Sequence, residues 1–342
     1  MKLLPFVSRR LFHAIFVLLG LSMVIFLIAR VMPGDPARVA VGARAEDWVV
    51  DNLREQMHLN EPLPVQYAYW LADALQGDFG ISLVTRRGVA EDIKEFFPAS
   101  LELALFSLVI TAGLGIGLGA LSAHHKDKLV DNVVRVVSYM GVVTPSFVFA
   151  ILFLLLFGFV LDLFPTIGRL SEDMTRPPTV TGFMTIDTLL AGDIPAFFDS
   201  VHHLILPAMA LAMGSMAQEA RITRASMSEN LSKDYIAAGR AFGVPESKVT
   251  RSFLLKPSLI ATISILGLDF AAGLSNAFLV ELIFVWPGLS RYGMNAILRK
   301  DLNAISAVIL VLGVVFIVVN IIVDVIVGRL DPRIGLRSAR SD

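Results

Sequence analysis

The 342-residue chain contains no cysteine. Disulfides and thiolate metal sites are therefore excluded outright. Charge is also scarce: Asp, Glu, Lys and Arg make up 17% of the residues, against about a quarter in an ordinary soluble domain. No Gly-x-x-x-x-Gly-Lys-Ser/Thr sequence occurs, so the phosphate-cradling loop of a nucleotide hydrolase is missing. The basic residues lie beside apolar runs rather than on a polar domain, which argues against a nucleic acid partner.

What the chain has instead is hydrophobicity, at 55% of residues with a mean hydropathy of +0.70. Apolar runs long enough to cross about 30 Å of hydrocarbon recur, which predicts an all-α polytopic membrane protein embedded in a lipid bilayer. The first run covers 11–32 and follows Lys2, Arg9 and Arg10. It exceeds the roughly 7–15 residues of a signal-peptide core and no Ala-x-Ala cleavage site follows, so residues 1–32 read as N-terminus plus retained first span. Further runs at 99–123, 133–161, 203–221, 258–285 and 304–327 bring the expectation to six transmembrane helices. Residues 33–98 are polar and acid-rich and read as a small extracytoplasmic subdomain, with short helices expected at 48–57 and 65–75. Residues 163–201 form a second outer segment, where Pro177-Pro178 argues against regular helix. The remaining divisions are a transmembrane core over 99–327, with a connecting segment at 222–257, and a basic tail over 328–342. With the N-terminus inside, 17 of the 29 Lys and Arg face the cytoplasm. That asymmetry follows the positive-inside rule and predicts cytoplasmic termini.

The connecting segment is the informative one. Its centre runs Asp234-Tyr-Ile-Ala-Ala-Gly-Arg-Ala-Phe-Gly-Val-Pro-Glu-Ser-Lys248. Ala237, Ala238, Gly239 and Arg240 tolerate helix, and Gly243 can take the positive φ that stops one. Pro245 suits the first turn of a second helix, with Glu246 near its positive end. The pattern predicts a helix, a glycine stop and a helix outside the bilayer, with Tyr235 at its start: a smooth knob suited to a groove on another protein. Arg240, Lys248 and Arg251 also serve as positive-inside anchors.

Other polar residues were weighed for chemistry. Charged groups within spans are costly and single out Glu102, Asp269, Glu281 and Asp324, with Asn276 and Asn320 as polar companions. Asp269, Asn276 and Glu281 are the candidates for a translocation pathway or gate; Glu102 and Asp324 lie near span ends and read as structural. Gly115, Gly117, Gly119 and Ala120 formally fit a dinucleotide fingerprint, but they sit in a span, where such glycines permit close helix packing. His124-His125 and His202-His203 lack metal-ligand spacing, so no metal site is expected. An ion-coupled transporter acting alone would want an internal repeat, which is not evident. A serine protease would want more than Gly214-Ser215 without a second glycine.

Several short motifs in fixed order resemble one family, the permeases of ATP-binding-cassette importers in the dipeptide, oligopeptide and nickel branch. They are Met32-Pro-Gly-Asp-Pro36, Leu59-Asn-Glu-Pro62 with Gln66-Tyr67, Gly77-Asp-Phe-Gly-Ile-Ser82 and His203-Leu-Ile-Leu-Pro207. The 235–243 stretch, Glu281-Leu-Ile-Phe-Val-Trp-Pro-Gly288 and Asp331-Pro-Arg-Ile334 complete the set. The resemblance spans about 9–334. It implies the type I importer permease fold in a bacterial inner membrane, and places Ala237-Ala238-Gly239 and Gly243 in the EAA motif that couples to the ATPase. This chain departs in having Ala237 where the motif has Glu, Ser252 where the branch often has His, and a displaced proline at Pro257. The implied partners are a second, distinct permease, two ATP-binding subunits that hold ATP and Mg, and an extracytoplasmic solute-binding protein. The chain itself is then neither an enzyme nor a cofactor binder.

Overall fold

The computed structural model describes residues 3–31, 36–42 and 44–330. The motif residues 32–35 and 331–334, Lys2, and the tail arginines Arg333, Arg337 and Arg340 lie outside the described residues. Every regular element among the described residues is helical. In order these are α1 (Leu3–Val31), α2 (Pro36–Val41), α3 (Asp47–Gln56), α4 (Leu63–Leu75), α5 (Val89–Ile110) and α6 (Ile116–His124). Next come α7 (Leu129–Val143), α8 (Ser146–Phe153), α9 (Met184–Leu190), α10 (Ile194–Asn230) and α11 (Asp234–Ala241). The last are α12 (Glu246–Lys248), α13 (Lys256–Asn276), α14 (Phe278–Ile283), α15 (Leu289–Leu298) and α16 (Leu302–Leu330). π-Helical turns at Thr111–Gly115, Leu154–Val160 and Val249–Leu255 continue their neighbours without a break. Among the described residues, five helices are long and apolar enough to cross a membrane, and a sixth span results if α7 and the 146–160 helix count as one.

The helices run further than the apolar runs that predict them. The second span is one rod over Val89–His124, and the fourth covers Ile194–Asn230 rather than 203–221. The fifth covers Glu246–Asn276, so it opens inside the segment read as a connector. Polar residues extend a helix into water at little cost, because its backbone is already hydrogen-bonded. The third span differs in kind: it bends by 106° between α7 and α8. Pro145 is the cause, since it forces Thr144 into an extended conformation and itself begins the next helix.

The chain divides into two compact units. Among the described residues the larger holds 3–7, 97–291 and 315–330 and is built on α10. Asp193 caps this helix by accepting a hydrogen bond from Ala196 N at 3.0 Å, and Pro195 fits its first turn. At 37 residues α10 is about 55 Å long, well beyond the hydrocarbon thickness. A Cβ at Gly119 would lie 2.5 Å from the Ala220 carbonyl oxygen, and one at Gly115 would lie 2.8 Å from Glu219 Cβ. Gly113 and Gly117 face open space within the chain. The 115/119 pair is thus a seam for helix packing. Against α13, α10 makes side-chain hydrogen bonds from Thr223 to Thr262 at 3.0 Å and from Asn230 to Ser258 at 2.8 Å. Asp131, fully buried, takes both Nε and Nη2 of Arg224, at 2.5 and 2.7 Å.

The outer segment of this unit is folded rather than loose. Glu102 accepts from Arg169 at 2.5 Å and from Thr185 N at 2.8 Å. Burial raises the pKa of Asp187, but donors from Thr181, Gly182 and Val180 outweigh it and hold the carboxyl below its usual range. His202 and His203 bond the carbonyls of Leu163 and Asp199.

The smaller unit holds 8–96 with 292–314. Here α1 and α4 join through Ser22 and Tyr67 at 2.8 Å, with Phe26 against Tyr67 and Trp70. Buried Asp301 begins α16 and accepts from Ser82 Oγ and Leu83 N, both at 2.6 Å. Gly77 and Gly80 take positive φ on the way to that contact, which gives the Gly77–Ser82 motif a structural basis.

Two outcomes check this packing. Gly119→Ala should lower the thermal stability of the purified protein, because the new methyl meets a backbone carbonyl; overpacking of this kind costs about 1–3 kcal/mol. Gly117→Ala should be neutral or slightly stabilising by helix propensity. Asp131→Ala should cost about 3–5 kcal/mol by stranding Arg224, whereas Asp131→Leu combined with Arg224→Met should recover most of that loss. Thermal unfolding of each variant reads both results.

Candidate functional site

The connector is a pair of short helices set between two long ones. α11 follows α10 after three residues, and α12 flows through the 249–255 π-helical turn into α13. Gly243 stops α11 with φ +73°, and the Pro245 carbonyl accepts from Lys248 N at 2.8 Å to start α12. Ile236 and Gly239 form the buried face of α11, packed with Met227, Val249 and Leu254 around Ala123. A Cβ at Gly239 would stand 3.2 Å from the Phe253 ring, so the small residue lets α11 lie flat on the start of the fifth span. Arg240 closes the corner on Glu246 at 2.6 Å, and that carboxylate raises the guanidinium pKa.

The opposite face is solvent-exposed. Tyr235, Ala237, Ala238, Arg240, Gly243 and Pro245 all lie on it. So does Phe242, whose ring is 87% exposed. Sequence reasoning passed over Phe242, although an aromatic residue just before a glycine stop was a readable signal. Small residues around one bare aromatic ring make a surface that buries apolar area on docking and offers little steric obstruction.

The pathway candidates separate. Glu281 is fully buried and accepts from Ser100 Oγ at 2.5 Å and Arg291 N at 2.7 Å, with Gly288 directly beneath it. Trp286, also fully buried, donates to the Ala99 carbonyl at 2.9 Å. The 281–288 motif therefore ties Ala99 and Ser100 of α5 to the start of α15. Asn276 is exposed at the end of α13. Asp269 is partly exposed and receives long contacts of 3.4 Å from Gln218. It lines a cavity of about 20 Å³ with Ser107, Thr111, Ser215 and Phe270.

One buried acid escaped the sequence reading. Glu219 on α10 is 0% exposed, and neither carboxyl oxygen has a hydrogen-bond partner. It lies two residues before Arg221, inside the 203–221 run.

Residues 115–336 match the family described as binding-protein-dependent transport system inner membrane component, and 3–104 match the N-terminal component of such systems. A probable D,D-dipeptide transport system permease protein of Escherichia coli K12 is 38% identical over 96% of both chains. A dipeptide transport system permease protein of Alkalihalophilus pseudofirmus is 35% identical, covering 97% of this chain and 99% of its own. A glutathione transport system permease protein of Escherichia coli K12 is 32% identical over the same shares. The chain belongs to the family of inner-membrane components of binding-protein-dependent transport systems.

Proposed function

We propose that this chain is one of two permease subunits of an ATP-driven importer for peptides or similar small solutes. The observation that carries the reading is the exposed face of 235–245, fixed by Ile236 and Gly239 onto two helices that continue as spans. Two cytoplasmic subunits bind ATP and Mg, and the face around Phe242 docks in a groove on one of them. Closure of that ATP-bound pair displaces the docked knob. Since α10 and the 246–276 helix are continuous from knob to span, the displacement travels as rigid-body motion rather than being absorbed in a loop. ATP binding then shifts the balance between inward-open and outward-open arrangements of the paired permeases, by as much as the two ATPase states differ in affinity for the knob. An extracytoplasmic solute-binding protein delivers the solute, and the second permease, a distinct homologue, completes the path.

The relatives named for dipeptide and glutathione transport support peptides as the solute class. Cytoplasmic termini put the knob on the side where ATP is, consistent with the bias of Lys and Arg.

Phe242→Asp is the sharpest test, because so exposed a ring contributes little to this chain's own folding. Loss of a central aromatic anchor costs about 2–4 kcal/mol of docking, or roughly 30-fold or more in affinity for the ATP-binding subunit. Uptake and solute-stimulated ATP hydrolysis should fall together; both staying intact would refute the docking. Gly243→Val should give the same losses, since it also strains the positive-φ stop. In the naturally cysteine-free chain, Ser247→Cys should react with an impermeant thiol reagent only from the cytoplasmic side. Labelling from outside would overturn the topology.

A further inference from the structure

The seam between α10 and α13 holds polar groups that the coupling mechanism leaves unused. Thr223 to Thr262 and Gln218 to Asp269 set the antiparallel register, so Glu219 falls between these two levels on α10. Its carboxyl is fully enclosed without a hydrogen-bond partner, and Asp269 lies within its electrostatic reach. Among the described residues no cation pairs with either acid. Carboxyl groups placed this way inside a span are costly, and they mark ion or substrate positions.

The adjoining cavity gives the site its chemistry. At about 20 Å³ it has room for one water-sized group. Asp269 lines it, together with Ser107, Thr111 and Ser215, whose hydroxyls have no hydrogen-bond partner among the described residues. Glu219 follows Ser215 by one helical turn, and Gly115, against which Glu219 packs, follows Thr111 by one turn. The lining is thus one carboxyl-bearing and three hydroxyl-bearing residues among six apolar ones, Leu266 and Phe270 included. A primary ammonium group has three N–H donors and no acceptor, and is about the size of the cavity. The apolar edge suits the carbon to which it is attached.

We propose that this cavity is a receiving site for the ammonium group of the solute in transit, with Asp269 as direct partner and Glu219 as the buried carboxyl one helical turn from the Ser215 wall. The inference rests on the reading of this chain as a solute importer and adds the part of the solute that the membrane portion recognises. Two sources present this group, a peptide amino terminus and a lysine side chain.

The absence of cysteine supplies the test. Gly273 lines the cavity, and a Cβ there meets nothing within 4 Å. In the assembled complex, Gly273→Cys is labelled with a small thiol reagent in the presence of Ala-Ala, N-acetyl-Ala-Ala, N-acetyl-Ala-Lys or matched sodium chloride. Ala-Ala should slow labelling by roughly threefold at twice its dissociation constant, and N-acetyl-Ala-Ala and salt should not. Protection by N-acetyl-Ala-Lys would extend the site to side-chain ammonium; its absence would restrict the site to the amino terminus, and both outcomes support the proposal. Adding Glu219→Gln with Asp269→Asn, which preserves shape, should abolish protection while the complex still co-purifies. Equal protection by the acetylated dipeptide or by salt, or protection that survives the double substitution, would overturn the site. A complex that takes up no peptide at all would instead refute the proposed function, so the two failures are distinguishable.

Discussion

The close approach of Gly239 to the Phe253 ring is the contact on which the rest depends. It lets α11 lie against the beginning of the fifth span with no side chain between them, and Ile236 completes the contact from one turn away. A larger residue at 239 would lift α11 away from that surface. With it in place, the knob is attached on both sides to rigid helix: α10 ends three residues before it, and the fifth span starts one residue after Pro245. A force applied at Phe242 therefore reaches the interior of the bundle without passing through flexible chain.

Inside the bundle, nearly every buried charge is satisfied by backbone or by an opposite charge, and each of these fixes a joint. Asp131 ties α7 to α10 through Arg224, and Glu102 anchors the outer segment through Arg169 and Thr185. Glu281 holds the turn into α15, and Asp301 begins α16. Removing any one would leave a partner buried and unpaired, which costs more than the bond itself contributes. Glu219 and Asp269 stand apart from this pattern. Asp269 lines a small cavity, and Glu219 is enclosed beside Gly115 without a hydrogen-bond partner.

Much of the plan was legible in the sequence, and the omissions have physical causes. Apolar runs located the spans because the bilayer demands about 20 such residues, but they could not locate helix ends, since helix persists into water. Gly243 and Pro245 announced the break in the connector because φ preferences are local. The break at Thr144-Pro145 was announced in the same way and was hidden by the apolar residues around it. Glu281 stood out because a charge in a span usually signals function; its partner Ser100 is far away in sequence, and only the fold brings the two together. Glu219 gives no such signal, because its burial depends on Gly115 of the facing helix, about a hundred residues earlier in the chain. Of the glycines in the second span, the facing helix α10 singles out Gly115 and Gly119 as the close-packed ones.

The central claim is that the exposed face around Phe242 is where a nucleotide-binding partner sits. Replacing Phe242 by a photo-crosslinking phenylalanine analogue, with the same analogue at buried Ile236 as control, measures that contact directly. In intact cells the expected product is a covalent adduct between position 242 and a cytoplasmic ATP-binding subunit, with none from position 236. Adducts from 242 confined to lipid, or to a protein on the outer side of the membrane, would contradict it.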